Sequence, residues 1–120
     1  MKSYKDLEIY KLSFNLAVDI YRLSLKLPNP EKFETGSQIR RSSQSIKDAI
    51  VEGYGRKVYK ADFIKFLIYS HASMLESTSQ AEFLDAIHPK SGWKEIAERL
   101  NKLGIKISNF ITYVEKLEKL

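Results

Sequence analysis

The sequence predicts an all-α fold, an antiparallel up-down-up-down four-helix bundle. Apolar residues recur at three-to-four spacing in four separate stretches, which is the period of an amphipathic helix. Helix-breaking residues separate those stretches: Pro28 and Pro30, then Gly53 and Gly55, then Pro89. No stretch alternates apolar and polar residues as a half-buried strand would.

The first helix opens at Ser3 or Asp6, which lie three residues apart and make a weak capping box, and runs to about Leu27, where Pro28 and Pro30 end it. Its apolar residues fall into two stripes, Leu7, Tyr10, Phe14, Ala17, Tyr21 and Ile9, Leu16, Ile20, Leu23, Leu27. Two stripes call for cover on two sides, so one flank is expected to face another chain. Phe33 is the expected anchor of the connector that follows. Ser37 is the expected N-cap of the second helix. That helix should end near Gly53, because Gly53 and Gly55 accept the positive φ that often follows a helix. A chain reversal then falls between Glu52 and about Lys60.

The third helix spans roughly Lys60 to Ile87, with Phe63, Leu67, Ser70, Met74, Ser77, Ala81 and Leu84 along one line. The fourth follows Ser91 and carries the clearest period in the chain. Trp93, Ile96, Leu100, Leu103, Ile107, Phe110, Val114 and Leu117 alternate spacings of three and four, a heptad seam. Gly104 interrupts it at a cost of about 1 kcal/mol relative to Ala. At a 1.5 Å rise per residue, helices one, three and four should be about 30–40 Å long and helix two nearer 25 Å. Similar lengths joined by short connectors favour antiparallel neighbours.

The 120 residues suit one domain, 1–120, with 43% hydrophobic and 29% charged residues, a globular composition. The absence of Cys excludes disulfides, thiolate chemistry and cysteine metal sites. No apolar run approaches the roughly 20 residues of a membrane span, so the expected location is cytoplasmic. Net charge is +5. Residues 36–60 hold six Lys and Arg against two Asp and Glu, so the surplus is concentrated there. A clustered cationic segment suits an acidic partner such as nucleic acid.

That same segment is poor in large apolar residues. Ile39, Ile46 and Ile50 form a thin stripe filled out by Ser42, Ser43 and Ala49, small residues that let backbones approach closely. Arg40, Arg41, Lys47, Arg56, Lys57 and Lys60 are the candidate phosphate-contacting surface. Arg40 and Arg41 point about 100° apart on a helix, so one of them is open to an internal role, with Glu52 or another carboxylate as partner. Tyr54 and Tyr59 interleave with Arg56 and Lys57. Such a mix stacks on unpaired bases, but aromatics flanking a helix turn more often cap the end of a bundle core.

No catalytic constellation is present. His71 and His88 lie far apart without ligand-like carboxylate offsets, the serines have no partnered base, and the paired Glu-x-x-His elements of di-iron bundles are missing. The expectation is a protein that is not an enzyme and carries no metal or other cofactor.

The spaced elements Tyr4-Lys5-Asp6-Leu7-Glu8-Ile9-Tyr10, Leu27-Pro28, Gln38-Ile39-Arg40-Arg41-Ser42, Ser45-Ile46, Glu52-Gly53, Gly55-Arg56, Phe63 and Phe66-Leu67 resemble a small bacterial four-helix-bundle family, the 23S rRNA intervening-sequence proteins. Ala49, Val58 and Thr78 depart from its usual Asn, Ser and acidic residue. Accessory proteins of diversity-generating retroelements, similar to this family, form pentameric barrels that contact a reverse transcriptase and nucleic acid. The resemblance therefore implies a homo-oligomeric ring, a pentamer, with RNA or DNA as a partner. Its alternative implication is a scaffold that docks a partner polypeptide such as a reverse transcriptase and touches no nucleic acid.

Overall fold

The structure, a computed structural model, describes residues 2–118. A 3-10 turn at Tyr4–Asp6 precedes four helices, α1 (Glu8–Ser24), α2 (Thr35–Gly55), α3 (Lys60–Ile87) and α4 (Trp93–Lys116). Each helix packs on its neighbour in the chain, and α1 closes the ring of four against α4. Side-chain bonds set the directions. Ser42 meets Ser77 and Ser70 reaches Ile46, so α2 and α3 run antiparallel. Lys60 at the start of α3 reaches Glu115 at the end of α4. Arg99–Asp19 and Lys106–Glu8 bridge α4 to α1, again with opposed sense. The result is the expected up-down-up-down bundle, and no strand occurs among the described residues.

The core forms where the apolar stripes predicted it. Ile20, Ile39, Ile46, Ile50, Phe63, Leu67, Leu84, Trp93, Leu100, Leu103, Ile107 and Val114 are all fully buried. Between α2 and α3 small residues take the place of large ones. Ser42 Oγ lies 2.8 Å from Ser77 Oγ and donates to Gln80 Oε1 at 2.7 Å, while Ser70 donates to the Ile46 carbonyl at 2.7 Å. These hydroxyls satisfy one another or the backbone, so burying them carries little of the usual desolvation penalty.

Several local expectations give way to tertiary contacts. The Ser3–Asp6 capping box exists, but it caps the 3-10 turn, and α1 ends at Ser24 rather than Leu27. Helix α2 begins at Thr35, after Glu34, with no side-chain cap. The connector already winds into it through backbone bonds such as Gly36 N–H to the Glu31 carbonyl at 2.7 Å, which leaves Ser37 inside the helix. By residue count α1 is about 26 Å long and α2 about 32 Å, reversing the expected order of those two. Phe33 does not anchor the connector, being 69% exposed. Arg40 and the contact of His88 Nε2 with Glu31 Oε2 at 3.2 Å hold it instead.

The glycines also act differently from expectation. Neither Gly53 nor Gly55 has positive φ, and α2 runs through both. Gly53 is required by proximity: a Cβ there would stand 2.9 Å from Phe66 Cβ and 3.3 Å from the Phe63 carbonyl oxygen. Neither atom belongs to a mobile side-chain end. Gly53→Ala should therefore cost about 2–3 kcal/mol, the upper part of the usual overpacking range, against roughly 1 kcal/mol that Ala gains in helix propensity, a net loss of about 1–2 kcal/mol. Urea denaturation measures this, and an unchanged or higher midpoint would show that α2 and α3 can part freely. At Gly104 the contact is of another kind, since a Cβ would fall on the thioether end of Met74, a flexible side chain that would have to move aside.

Helix α3 is apolar on its outer face as well as its inner one. Opposite the buried line lie Ile68, Leu75 and Phe83, which are 51%, 56% and 53% exposed. With Ile64, Ala72, Ser79 and Ala86 they make a second stripe at three-to-four spacing, about 33 Å long. The flank of α1 expected to face another chain is present too, with Phe14 and Tyr21 nearly half exposed beside Leu25.

Candidate nucleic-acid interface

The fold divides the six candidate cations into structural and displayed groups. Arg40 is structural. Its Nη1 donates to Ser24 Oγ at 2.8 Å and its Nη2 to the Lys32 carbonyl at 3.0 Å, tying α2 to the end of α1 and to the connector. The expected carboxylate partner is replaced by a hydroxyl and a backbone carbonyl. Ser24 is buried and points inward because its own hydroxyl donates to the Tyr21 carbonyl one turn earlier. Lys60 is committed as well: its Nζ donates to the Glu115 carbonyl at 2.6 Å and to the Leu117 carbonyl. A cation there satisfies carbonyls left open at the end of α4 and matches the negative end of that helix dipole.

The other four remain at the surface. Arg41 is exposed, with Nη1 donating to Ser37 Oγ at 3.0 Å, one turn earlier on α2. A guanidinium has five N–H donors, so most of its hydrogen-bonding capacity faces outward. Lys47 pairs with the adjacent Asp48 at 2.8 Å. Arg56 lies 4.9 Å from the centroid of the Phe66 ring, and Lys57 lies 4.0 Å from that of Tyr54 while donating to its hydroxyl at 2.8 Å. Arg41 and Arg56 are about 22 Å apart along the helix axis, and exposed Asp48 and Glu52 fall between them. Positive charge is thus displayed at two ends of α2 rather than in one sheet.

Around Arg41 the α2–α3 seam opens into a polar groove of about 610 Å³, lined by Gln38, Arg41, Ser45, Ser73, Glu76 and Gln80. Sequence reasoning did not find it. The available signal was a pair of polar lines at three-to-four spacing, Gln38, Arg41, Ser45 on one helix and Ser73, Glu76, Gln80 on the other.

At the opposite end the two tyrosines separate. Tyr54 is half-buried, edge-on to Phe63 and Tyr4 at 6.5 and 6.3 Å, and is part of the core's end cap. Tyr59 is 70% exposed beside Val58 at 85%. Nearby, Asp6 accepts the backbone N–H groups of Lys2 and Ser3 at 3.0 and 3.1 Å, bonds that hold its carboxyl below the usual aspartate pKa. Among the described residues no cluster of three or more His, Cys, Asp or Glu has metal-binding spacing, and no helix is long and apolar enough to cross a membrane.

The bundle, its small-residue α2–α3 seam and the inward Arg40 give a setting for comparison with known proteins. Residues 5–112 match the family described as 23S rRNA-intervening sequence protein. The chain belongs to that family. This intervening-sequence protein is also similar to the crystal structure of a protein of unknown function from the S23 ribosomal protein family of Bacteroides thetaiotaomicron VPI-5482. Sequence identity is 25%, the TM-score is 0.78, and the match covers 87% of this chain and 95% of that one. No curated protein matches the chain. The family assignment thus brings the fold with it and leaves the activity to be argued from the surface.

Proposed function

We propose that this intervening-sequence protein is a noncatalytic, self-associating bundle that binds RNA or DNA through cations displayed by α2 and the turn after it. The observation that carries the reading is the exposure of Arg41 and Arg56, with partly exposed Lys57 beside Arg56 and both turn cations held over aromatic rings. Phosphate contacts need surface cations and little else, here a pair at the turn and Arg41 at the other end of α2, and they bring no requirement for a catalytic group. Lys47 contributes less, since Asp48 neutralises it, and Arg40 and Lys60 serve the fold. Self-association would repeat the small footprint of each copy around an assembly.

A salt titration of binding to a short oligonucleotide tests the interface. The logarithm of affinity should fall with the logarithm of salt at a slope near −0.9 per phosphate neutralised on duplex, or about −0.7 on a single strand. Three engaged cations give a slope of about −2 to −3. Replacing Arg41, Arg56 and Lys57 with Glu should remove most of it. A slope near zero, or one indifferent to those replacements, rejects the interface.

The outer stripe of α3 and the flank of α1 support self-association, because two different apolar patches on one chain suit the head-to-tail contact that closes a ring. The family resemblance points to five copies. Light scattering should return a multiple of the 13.9 kDa chain mass, and Ile68→Glu with Leu75→Glu should reduce it to one chain by placing two carboxylates in the contact. A wild-type monomer at micromolar concentration would refute this. The same α3 stripe favours a second reading, a scaffold that docks a partner polypeptide and touches no nucleic acid. Partner capture that survives nuclease treatment, by a protein with no salt-dependent oligonucleotide binding, would establish the scaffold instead.

A further inference from the structure

We infer that the turn between α2 and α3 is a stacking platform for unpaired bases, so that the ligand at this end of the bundle is single-stranded nucleic acid. The inference rests on the nucleic-acid reading above and makes it narrower.

Val58 and Tyr59 are the most exposed large apolar side chains in the described chain, at 85% and 70%. They do not sit on a floppy loop. The Arg56 N–H bonds the Gly53 carbonyl at 3.0 Å, Lys57 N–H bonds Tyr54 at 3.2 Å, Tyr59 N–H bonds Arg56 at 2.9 Å, and Phe63 N–H bonds Tyr59 at 3.0 Å. The turn is held at almost every backbone step. Each cation beside it is also held: Arg56 over Phe66, Lys57 over Tyr54, Lys60 on the end of α4. Of the aromatics at this end, Tyr54 and Phe63 are spent on the core, whereas Tyr59 has no ring partner within the chain among the aromatic pairs observed.

A rigid turn that exposes one aromatic ring between fixed cations is suited to a polyanion with accessible π-faces. Arg56 is exposed, with its guanidinium carbon 4.9 Å from the Phe66 ring centroid, and guanidinium planes stack on bases as aromatic rings do. In a duplex the base faces are covered by their neighbours and only the cations would engage. In a single strand a base can swing onto Tyr59 while its phosphates meet Arg56 and Lys57, and each such stack is sequence-tolerant. Preorganisation matters because little ordering entropy remains to be lost on binding.

The test is fluorescence anisotropy at low salt with a labelled mixed-sequence RNA 20-mer, alone and annealed to its complement. The full chain is compared with Tyr59→Ala and Tyr59→Phe. The single strand should bind more tightly than the duplex, and Tyr59→Ala should weaken single-strand binding about tenfold or more, the usual range for one lost base stack. Tyr59→Phe should restore it, and duplex binding should not change. Because Tyr59 is exposed, circular dichroism of the variants should match the parent. Equal affinity for the two forms, or a Tyr59→Ala effect that is absent or identical on both, overturns the platform while leaving phosphate binding in place. Tyr59-dependent sedimentation with anionic phosphatidylserine vesicles, without preference for the single strand, overturns it in favour of a lipid surface. No binding to either oligonucleotide at low salt sinks the nucleic-acid reading itself, and the platform with it.

Discussion

Trp93→Ala is expected to lower the stability of the protein by about 3–5 kcal/mol, the largest effect of any single side-chain truncation in the bundle. Trp93 is the first residue of α4 and is fully buried. It enters the core through a backbone arrangement that few residues allow: Lys90 and Gly92 have φ of 64° and 94°, and the Leu23 side chain closes over Gly92. Removing the indole leaves a cavity at the start of the heptad seam, in the same core cluster as Ile96 and Leu100. Small domains are stable by only about 5–15 kcal/mol, so the melting temperature should fall by roughly 10–20 °C at a few degrees per kcal/mol. Thermal denaturation followed by circular dichroism measures it. A cost under about 1 kcal/mol would mean that the end of the bundle collapses to fill the space and that Trp93 is not its keystone.

The second large effect separates two neighbours in sequence. Arg40→Ala should destabilise the fold by about 2 kcal/mol, because it removes charge-assisted bonds to Ser24 Oγ and the Lys32 carbonyl. Arg40→Lys should recover little, since the two acceptors are met by separate nitrogens, Nη1 and Nη2, of a planar fork that a single Nζ does not reproduce. Arg41→Ala, at an exposed position with a single bond to Ser37, should change stability by no more than about 0.5 kcal/mol. In binding the order reverses. Loss of Arg41 should reduce the salt slope by about one phosphate contact, and loss of Arg40 should leave the slope unchanged in whatever fraction remains folded. Chemical denaturation and salt titration on the same two variants decide the assignment, and equal losses of stability would overturn it.

The contrast shows how much of the site could be read from the chain. That residues 36–60 carry the cations, and that one of the adjacent arginines was open to an internal role, follows from composition and a 100° helical step. Which arginine, and with what partner, does not. Ser24 and Lys32 become neighbours of Arg40 only after α1 has turned back through the connector, so no local spacing marks them. Lys60 is the same case across 55 residues, since its acceptors are the last carbonyls of α4. Tyr54 and Tyr59 have similar surroundings in sequence, and only the packing of Tyr4 and Phe63 around Tyr54 distinguishes them. On α3 the core line from Phe63 to Leu84 was read correctly from its spacing, whereas the outer stripe through Ile68, Leu75 and Phe83 was found only in the structure.

The four helices, their order and the residues that fill the core were set locally, because hydrophobic periodicity and chain breakers act over one or two turns. The lower-level departures all have one cause. Gly53 was chosen by the approach of Phe66, Gly104 by Met74, and the start of α2 by a connector that Arg40 and Glu31 hold in place. Each depends on atoms distant in the chain and adjacent in space. Tertiary packing alone decided which cations are consumed in holding the bundle together and which are left to face a partner.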